Sequence, residues 1–183
     1  MKERKYKEDW VNETRFDEKS GKETRVPVYR GPWFSGVSGE NRKPLLMRAL
    51  FPWLFFLLLI LLYFKLNFPG ATVMYVFLPA ALALFPALYW LLGIAALLKA
   101  PEKMTRLQKE NSAGRILRSA AGCMVCSCAA VLGDMILLVS GGKAAAEWPG
   151  TLILLGAVCA AWWTVNCFRE INNRLSEKRG ESQ

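Results

Sequence analysis

Residues 49–64 read ALFPWLFFLLLILLYF, a run of sixteen positions without a charged side chain. An α-helix of this length covers about 24 Å of the roughly 30 Å hydrocarbon core of a bilayer. Arg48 and Lys65 bracket the run, and long basic side chains can extend their charges to the headgroups. The run and its flanks therefore predict a membrane-spanning helix at about residues 45–66.

The whole chain separates apolar from charged residues in the same way. Of its 183 residues, 53% are hydrophobic and 21% are charged, yet Lys65 is the only charged residue between positions 49 and 98. This separation excludes a soluble globular domain, a disordered chain and a disulfide scaffold. Further apolar runs predict spans at about residues 72–98, 119–139 and 148–168.

Basic residues are distributed unevenly between the segments that flank these spans. The two short outer loops hold only Lys65 and Lys143, whereas the other flanks hold 22 of the 24 Lys and Arg residues. By the positive-inside rule, both termini are expected to be cytoplasmic, in a plasma membrane of the bacterial inner-membrane type. The sequence thus predicts an all-α integral membrane protein whose four transmembrane helices form two helical hairpins.

A polar N-terminal segment is the other part of the predicted architecture. The predicted organisation is a cytoplasmic segment at 1–44, a transmembrane domain at 45–168 and a cytoplasmic tail at 169–183. Two strand-favouring stretches flank a turn-like composition at residues 17–22, which predicts a β-hairpin within residues 10–29. An isolated hairpin is marginal in water, so this segment is either a disordered basic tail or a docking element. Trp33 and Phe34 are expected to anchor at the membrane interface.

Prolines predict two local features of the chain. Pro79 and Pro86 lie seven residues apart in the second span, where each removes a backbone hydrogen bond and is expected to kink the helix. Between the second and third spans, Pro101 occupies a favourable first helical position and predicts a short interfacial helix that ends near residues 111–114.

Small residues follow one face of the third span and recur in the fourth. Because helices in lipid associate through close packing of small residues, this pattern predicts a helix–helix interface, either in the core of the bundle or between subunits. The candidate interface residues are Ser119, Cys123, Cys126, Ala130 and Gly133 in the third span, with Gly156 and Ala160 in the fourth.

The sequence offers little catalytic chemistry. It contains no histidine, which excludes Ser-His and Cys-His nucleophilic pairs and histidine-ligated metals. Cys123, Cys126 and Cys128 have spacings found in metal and redox sites, but thiols in an apolar helix act as small hydrophobic groups. No catalytic residue, cofactor or metal is expected. Topology and contact with anionic lipid on the cytoplasmic side account for the basic residues, so no nucleic-acid partner is expected either.

Asp134 is the one acidic residue within a predicted span, and charged groups in hydrocarbon are functional candidates because they are costly to place there. It lies about five residues, or roughly 8 Å, from the outer end of the third span. Interfacial water, Lys143 or Lys65 would be within its reach. Two alternatives remain open, namely a structural polar contact and a transport or proton site.

These features together favour a non-catalytic protein. The missing catalytic groups, the small-residue face and the aromatic N-terminal segment favour an accessory or scaffold subunit. Such a subunit would associate with a larger membrane complex or with itself, so the expected partners are the lipid bilayer and a membrane protein or a second copy of this chain. The alternative is a small oligomeric transporter or channel that uses Asp134.

Overall fold

A computed structural model of the chain describes residues 8–17, 22–35, 39–101, 103–140 and 144–177. The helices are α1 (Gly39–Lys65), α2 (Pro69–Thr72), α3 (Met74–Leu82), α4 (Leu84–Leu98), α5 (Arg106–Asn111), α6 (Ala113–Ser140) and α7 (Ala144–Glu177). The strands are β1 (Trp10–Asp17), β2 (Lys22–Tyr29), β3 (Phe34–Ser35) and β4 (Lys103–Met104). Four helical segments of the described chain are long and apolar enough to cross a membrane, which confirms the predicted helical architecture at this level.

The four long helical segments pack as a bundle with α1 and α6 at opposite corners. α6 packs against α3, α4 and α7, whereas α1 packs against α4 and α7. The largest buried side chains come from every span and include Phe56, Tyr63, Trp90 and Phe168. The predicted spans match these helices closely, but α1, α6 and α7 extend beyond the predicted bounds, and α7 continues to Glu177. Positions 178–183 of the predicted tail lie outside the described residues.

The first span has one face toward the bundle and one away from it. Phe56, Ile60 and Tyr63 are fully buried, whereas Phe51 and Leu58 on the opposite face are exposed. The contact with α4 includes a hydrogen bond in which Trp53 Nε1 donates to the carbonyl oxygen of Ala87 at 2.9 Å. The apolar exposed face is what a lipid-facing helix requires, because lipid tails solvate it as well as protein would.

The second span is interrupted where proline chemistry requires it. It forms two helices, α3 and α4, that meet at Ala83, three residues before Pro86. Proline lacks the N–H that would bond the carbonyl four residues earlier, and its ring crowds that carbonyl. Pro79 instead lies within α3. The two prolines were expected to act alike, but the structure breaks the helix only at the second.

The N-terminal segment forms a two-stranded ribbon, which confirms the predicted β-hairpin. β1 and β2 pair antiparallel from Trp10 opposite Tyr29 to Asp17 opposite Lys22. Pro27 fits opposite Asn12 because both strands of such a ribbon are edge strands. At the open end of the ribbon, the Arg30 amide donates to the carbonyl oxygen of Asp9 at 2.8 Å. Residues 18–21 of the predicted turn lie outside the described residues.

A second, shorter pairing joins this segment to the loop between the second and third spans. β3 pairs antiparallel with β4, with Phe34 opposite Met104. Both side chains are buried, so Phe34 packs inside the protein, contrary to its expected place at the membrane interface. Because residues 103–104 are extended, α5 begins at Arg106 and not at Pro101 as expected. Thr105 caps α5, and its hydroxyl accepts a hydrogen bond from the Gln108 amide.

The bundle therefore has two different ends. We call one the turn end, where the chain passes from α1 to α2 and from α6 to α7. We call the other the terminal end, where α4 ends, α5 and α6 begin, and the ribbon and the last turns of α7 come together.

Candidate functional site

The most deeply buried charged side chain of the described residues lies near the turn end. Asp134 on α6 is 0% exposed. The hydroxyl of Thr151 on α7 donates a hydrogen bond to Asp134 Oδ2 at 2.5 Å. This hydrogen bond joins two consecutive antiparallel helices. A carboxylate acceptor strengthens such a bond relative to a neutral one, so the pair can hold α6 against α7.

The first helical hairpin packs around this pair. Gly133, the neighbour of Asp134, lies so close to α3 that a Cβ atom there would stand 3.0 Å from the carbonyl oxygen of Tyr75. Gly150, the neighbour of Thr151, lies close to the rings of Tyr63 and Phe68. Glycine permits these close approaches because it has no side chain. The pair is thus enclosed at the point where all four spans meet.

One oxygen of the carboxylate is left without a hydrogen bond. Asp134 Oδ1 is buried and has no hydrogen-bond partner among the residues that the structure describes. Lys65, one of the expected partners, is exposed, and no ion pair of Asp134 occurs within the described chain. Lys143, the other expected partner, lies outside the described residues. A buried acceptor with unused capacity costs free energy, and this makes Asp134 a candidate functional residue as well as a packing residue.

The small-residue face of the third span lies mostly inside the bundle. Ser119, Cys123, Ala130 and Gly133 are buried, and Cys126 is half-buried. The Cys123 thiol donates to the carbonyl oxygen of Ala83 at 3.6 Å, at the break in the second span. In these contacts the face packs against α3 and α4 of the same chain, which is one of the two alternatives that the sequence left open.

In the fourth span the small residues face α1. Gly156 is half-buried, and a Cβ atom there would stand 3.0 Å from the Leu59 side chain. Ala160 is buried. Both line a cavity of about 530 Å³ between α1 and α7, together with Phe51, Phe55 and Trp163. The cavity has an almost wholly apolar wall, so lipid tails or an apolar helix suit it.

The cysteines show no arrangement for metal or redox chemistry among the described residues. All five are free thiols. In the described chain no three His, Cys, Asp or Glu side chains cluster closely enough to hold a metal ion. Cys123 is buried, whereas Cys128 and Cys159 are exposed on the apolar surface of the spans.

A second buried charge lies at the terminal end. Lys109 on α5 is 9% exposed. Its ammonium group donates to the carbonyl oxygen of Asn172 on α7 at 3.3 Å and stands 4.5 Å from the centre of the Phe34 ring. A cation over an aromatic face is attracted by the ring quadrupole. Lys109 thus joins three segments that are distant in sequence, and we call this group of Phe34, Lys109 and Asn172 the lysine junction.

Tyr29 makes the second link between the ribbon and the bundle. Its hydroxyl donates to the carbonyl oxygen of Pro32 at 3.1 Å and accepts a hydrogen bond from the Arg106 amide at 3.2 Å. Its ring packs edge-on between Trp10 and Trp33, at centroid distances of 5.3 and 5.0 Å. The ribbon is therefore fixed to the start of α5.

Sequence reasoning singled out Asp134 but missed Thr151, although a signal for it existed. The two residues lie at nearly equal sequence separations from the middle of the short connection between α6 and α7. Residues placed in this way on antiparallel helices lie at the same height along the bundle. No comparable signal linked Phe34, Lys109 and Asn172. Their association depends on how three polar segments fold over the end of the bundle.

Neither end carries a recognisable catalytic arrangement within the described chain. The turn end holds a carboxylate and a hydroxyl, and the lysine junction holds an ammonium group, an aromatic ring and a carbonyl. In comparisons with known proteins, the chain matches no protein-family model, no curated protein and no solved structure. Function is therefore inferred from the residues and their geometry.

Proposed function

We propose that this chain is a non-catalytic, four-span protein of a bacterial-type plasma membrane, with both termini and the lysine junction on the cytoplasmic side. The four apolar spans support membrane insertion. The 22 basic residues in the N-terminal segment, the loop between the second and third spans and the C-terminal tail support the orientation. A C-terminal reporter that is active only in the cytoplasm should show activity. Activity of a periplasmic reporter at the same position would contradict the orientation.

Its role in this proposal is that of an accessory or scaffold subunit. The ribbon is the part that contacts the partner, which is a larger membrane complex or a second copy. The observation that carries this proposal is that the ribbon is fixed to the bundle yet leaves large apolar side chains uncovered. On the ribbon these side chains are Trp10, Val11 and Val26, each between 37% and 45% exposed, and Trp33, which follows the ribbon, is 53% exposed. Exposed apolar groups on a polar segment outside the spans are typical of an interaction surface.

The strand register indicates which face of the ribbon is available. Side chains alternate between the two faces of a strand, so Val11 and Val26 share a face that is opposite to that of Tyr29. Tyr29 is engaged by Trp10, Trp33 and the start of α5. The face with Val11 and Val26 is therefore the one that we assign to the partner.

Site-specific photocrosslinking in native membranes tests this role. A photoreactive amino acid at Val11 should give discrete higher-mass species, either with a second copy or with another membrane protein. Val139, which is exposed near the turn end, provides the matched control position and should give crosslinks to lipid alone. A strictly monomeric product from position 11, together with monomeric protein in mild detergent, would contradict an accessory or scaffold role.

The second candidate function is a small oligomeric transporter or channel that uses Asp134. The unused hydrogen-bonding capacity of the buried Asp134 Oδ1 favours it. In vesicles loaded with a pH-sensitive dye and given a potassium diffusion potential, the wild-type protein should then conduct protons and Asp134→Asn should not. Equal, background-level signals from both proteins would rule out a proton pathway through this residue.

A further inference from the structure

The surface between α4 and α6 carries a groove that neither function uses. Its volume is about 440 Å³. α4 contributes Phe85, Pro86 and Tyr89, and α6 contributes Arg115, Arg118 and Ser119. One side of the groove is thus aromatic and apolar, and the other side carries two guanidinium groups and a hydroxyl group.

Packing of the neighbouring helices gives the depth of this groove in the bundle. A Cβ atom on Gly122 of α6 would contact Pro86 at 3.1 Å, so Arg118 lies about 6 Å from the level of Pro86 toward the terminal end. Trp53 bonds to Ala87 and sets the level of α1, and Arg48 lies about 7.5 Å from Trp53 in the same direction. Arg118 and Arg48 therefore lie at similar depth. Since Arg48 marks the end of the charge-free run of α1, the proposed membrane insertion would place the boundary between headgroups and acyl chains at this depth.

The arginine side chains of the groove have no acidic partner in the described chain. Arg118 extends back toward the terminal end, where its guanidinium donates to the carbonyl oxygens of Gly114 at 3.1 Å and Glu110 at 3.4 Å. Neither Arg115 nor Arg118 forms a salt bridge with any described residue. Guanidinium groups bind phosphate strongly because their fixed donors match its oxygens. The part of the groove nearer the terminal end thus offers positive charge and hydrogen-bond donors to an anion. The described residues of the protein do not supply such an anion.

The part of the groove nearer the middle of the bundle suits an acyl chain. Phe85 is 64% exposed, and with Pro86 it extends the groove toward the middle of the bundle. No polar side chain lines the groove beyond Ser119 on that side. A free phosphate would gain nothing from this apolar floor, whereas a lipid would bury its first methylene groups there.

We propose that this groove binds one anionic glycerophospholipid, with its phosphate between Arg115 and Arg118 and an acyl chain along Phe85 and Pro86. Tyr89 and Ser119 line the same groove, and their hydroxyl groups would donate to the phosphate or the ester oxygens. Basic pockets between transmembrane helices on the cytoplasmic side recognise anionic lipids in this way. The proposal rests on the membrane insertion that the proposed function also requires, but not on a protein partner.

Native mass spectrometry of the full chain tests this site. The purified protein is incubated with equal amounts of dioleoylphosphatidylglycerol and dioleoylphosphatidylcholine, and the lipid adducts are counted. The wild-type protein should retain one phosphatidylglycerol in preference to phosphatidylcholine. The double variant Arg115→Gln/Arg118→Gln should lower this preference about 30-fold, since each basic group near an anionic lipid contributes a several-fold effect.

A matched control separates the groove from the general basic charge of the terminal end. The variant Lys43→Gln/Arg169→Gln removes two exposed basic groups at the same end, and neither residue lines the groove. It should keep the wild-type preference. An equal loss of preference in both double variants would overturn the proposal.

Two further outcomes would also overturn the proposal. The first is equal retention of the two lipids by the wild-type protein. This measurement does not depend on whether any variant folds. The second is displacement of phosphatidylglycerol by millimolar glycerol phosphate, because the site would then recognise a soluble phosphate without its acyl chain. A retained preference for phosphatidylglycerol without photocrosslinks at Val11 would support the lipid site and count against the accessory role. Failure of the lipid site and failure of the accessory role are therefore distinguishable.

Discussion

The two ends of the bundle each bury one charged side chain, but they hold it by different means. At the turn end, Asp134 is bonded by Thr151, a residue 17 positions away on the next helix. At the terminal end, Lys109 contacts the ring of Phe34, from the N-terminal segment, and the carbonyl oxygen of Asn172, 63 positions away on α7. The first contact joins neighbours within one helical hairpin, and the second joins segments from opposite parts of the chain.

This difference indicates a division of labour in the molecule. The Asp134–Thr151 bond lies inside the bundle, where removing a partner leaves a charge in an apolar setting. The lysine junction lies outside the apolar core, so its loss should weaken the attachment of the ribbon and leave the helices in place. We therefore expect mutations at the turn end to change the free energy of unfolding of the bundle, and mutations at the junction to change the order of the ribbon.

The largest effect is expected from Thr151→Val. This substitution keeps the shape of the side chain but removes the hydroxyl that donates to Asp134. A buried carboxylate without its donor should lower the free energy of unfolding by about 2 kcal/mol. Unfolding in mixed micelles of a mild detergent and dodecyl sulfate measures this change.

Thr164→Val provides the matched control for that experiment. Thr164 is also fully buried on α7, but its hydroxyl donates to the carbonyl oxygen of Ala160 in the same helix. Loss of this hydroxyl leaves no charged group without a hydrogen bond, so we expect the free energy of unfolding to fall by less than about 0.7 kcal/mol. Equal costs for the two valine variants would mean that Asp134 is not stabilised by Thr151 and would remove the contrast between the ends.

A smaller and local effect is expected from Phe34→Ala. The buried Phe34 ring packs beneath Lys109, and its removal should loosen the ribbon, which Tyr29 would then still hold to the start of α5. Hydrogen exchange at the amides of β2 should accelerate at least about tenfold, because burial of a phenylalanine contributes 1.5–3 kcal/mol or so. The free energy of unfolding of the helices, measured in mixed micelles, should stay at the wild-type value.

Val26→Ala is the control for the ribbon, because Val26 lies on the same ribbon but is exposed. It should leave exchange in β2 close to that of the wild-type protein. If Phe34→Ala instead destabilised the helices as much as Thr151→Val, the ribbon would be part of the core of the bundle and the two ends would not differ in kind.

The sequence predicted the bundle well because its signals are local. The charge-free run at residues 49–64 and the three later runs each specify a span by length and hydropathy, and a described helical segment matches each of the four closely. The strand composition around residues 17–22 likewise specified the ribbon. In each case the interactions that decide the structure lie within one element or between neighbours in sequence.

What the sequence did not predict depends on contacts between distant segments. Pro101 suggested a helix start, but pairing of Lys103–Met104 with Phe34–Ser35 holds that stretch extended. Phe34 suggested a membrane anchor, but Lys109 and Met104 cover it. A pattern within one segment contains no information about which other segment will satisfy its backbone groups.

The smallest expected effect is the coupling between the two ends. Asp134 lies 21 residues beyond the start of α6, about 32 Å along the helix, and Lys109 precedes that start. Mutations this far apart with no shared partner usually add within about 0.5 kcal/mol. In the double variant Thr151→Val/Phe34→Ala, the rate of amide exchange in β2 should therefore match that of Phe34→Ala within about twofold. The free energy of unfolding of its helices should match that of Thr151→Val. A larger departure in either measurement would show that α6 transmits strain between its ends, and the bundle and the ribbon would then be one cooperative unit.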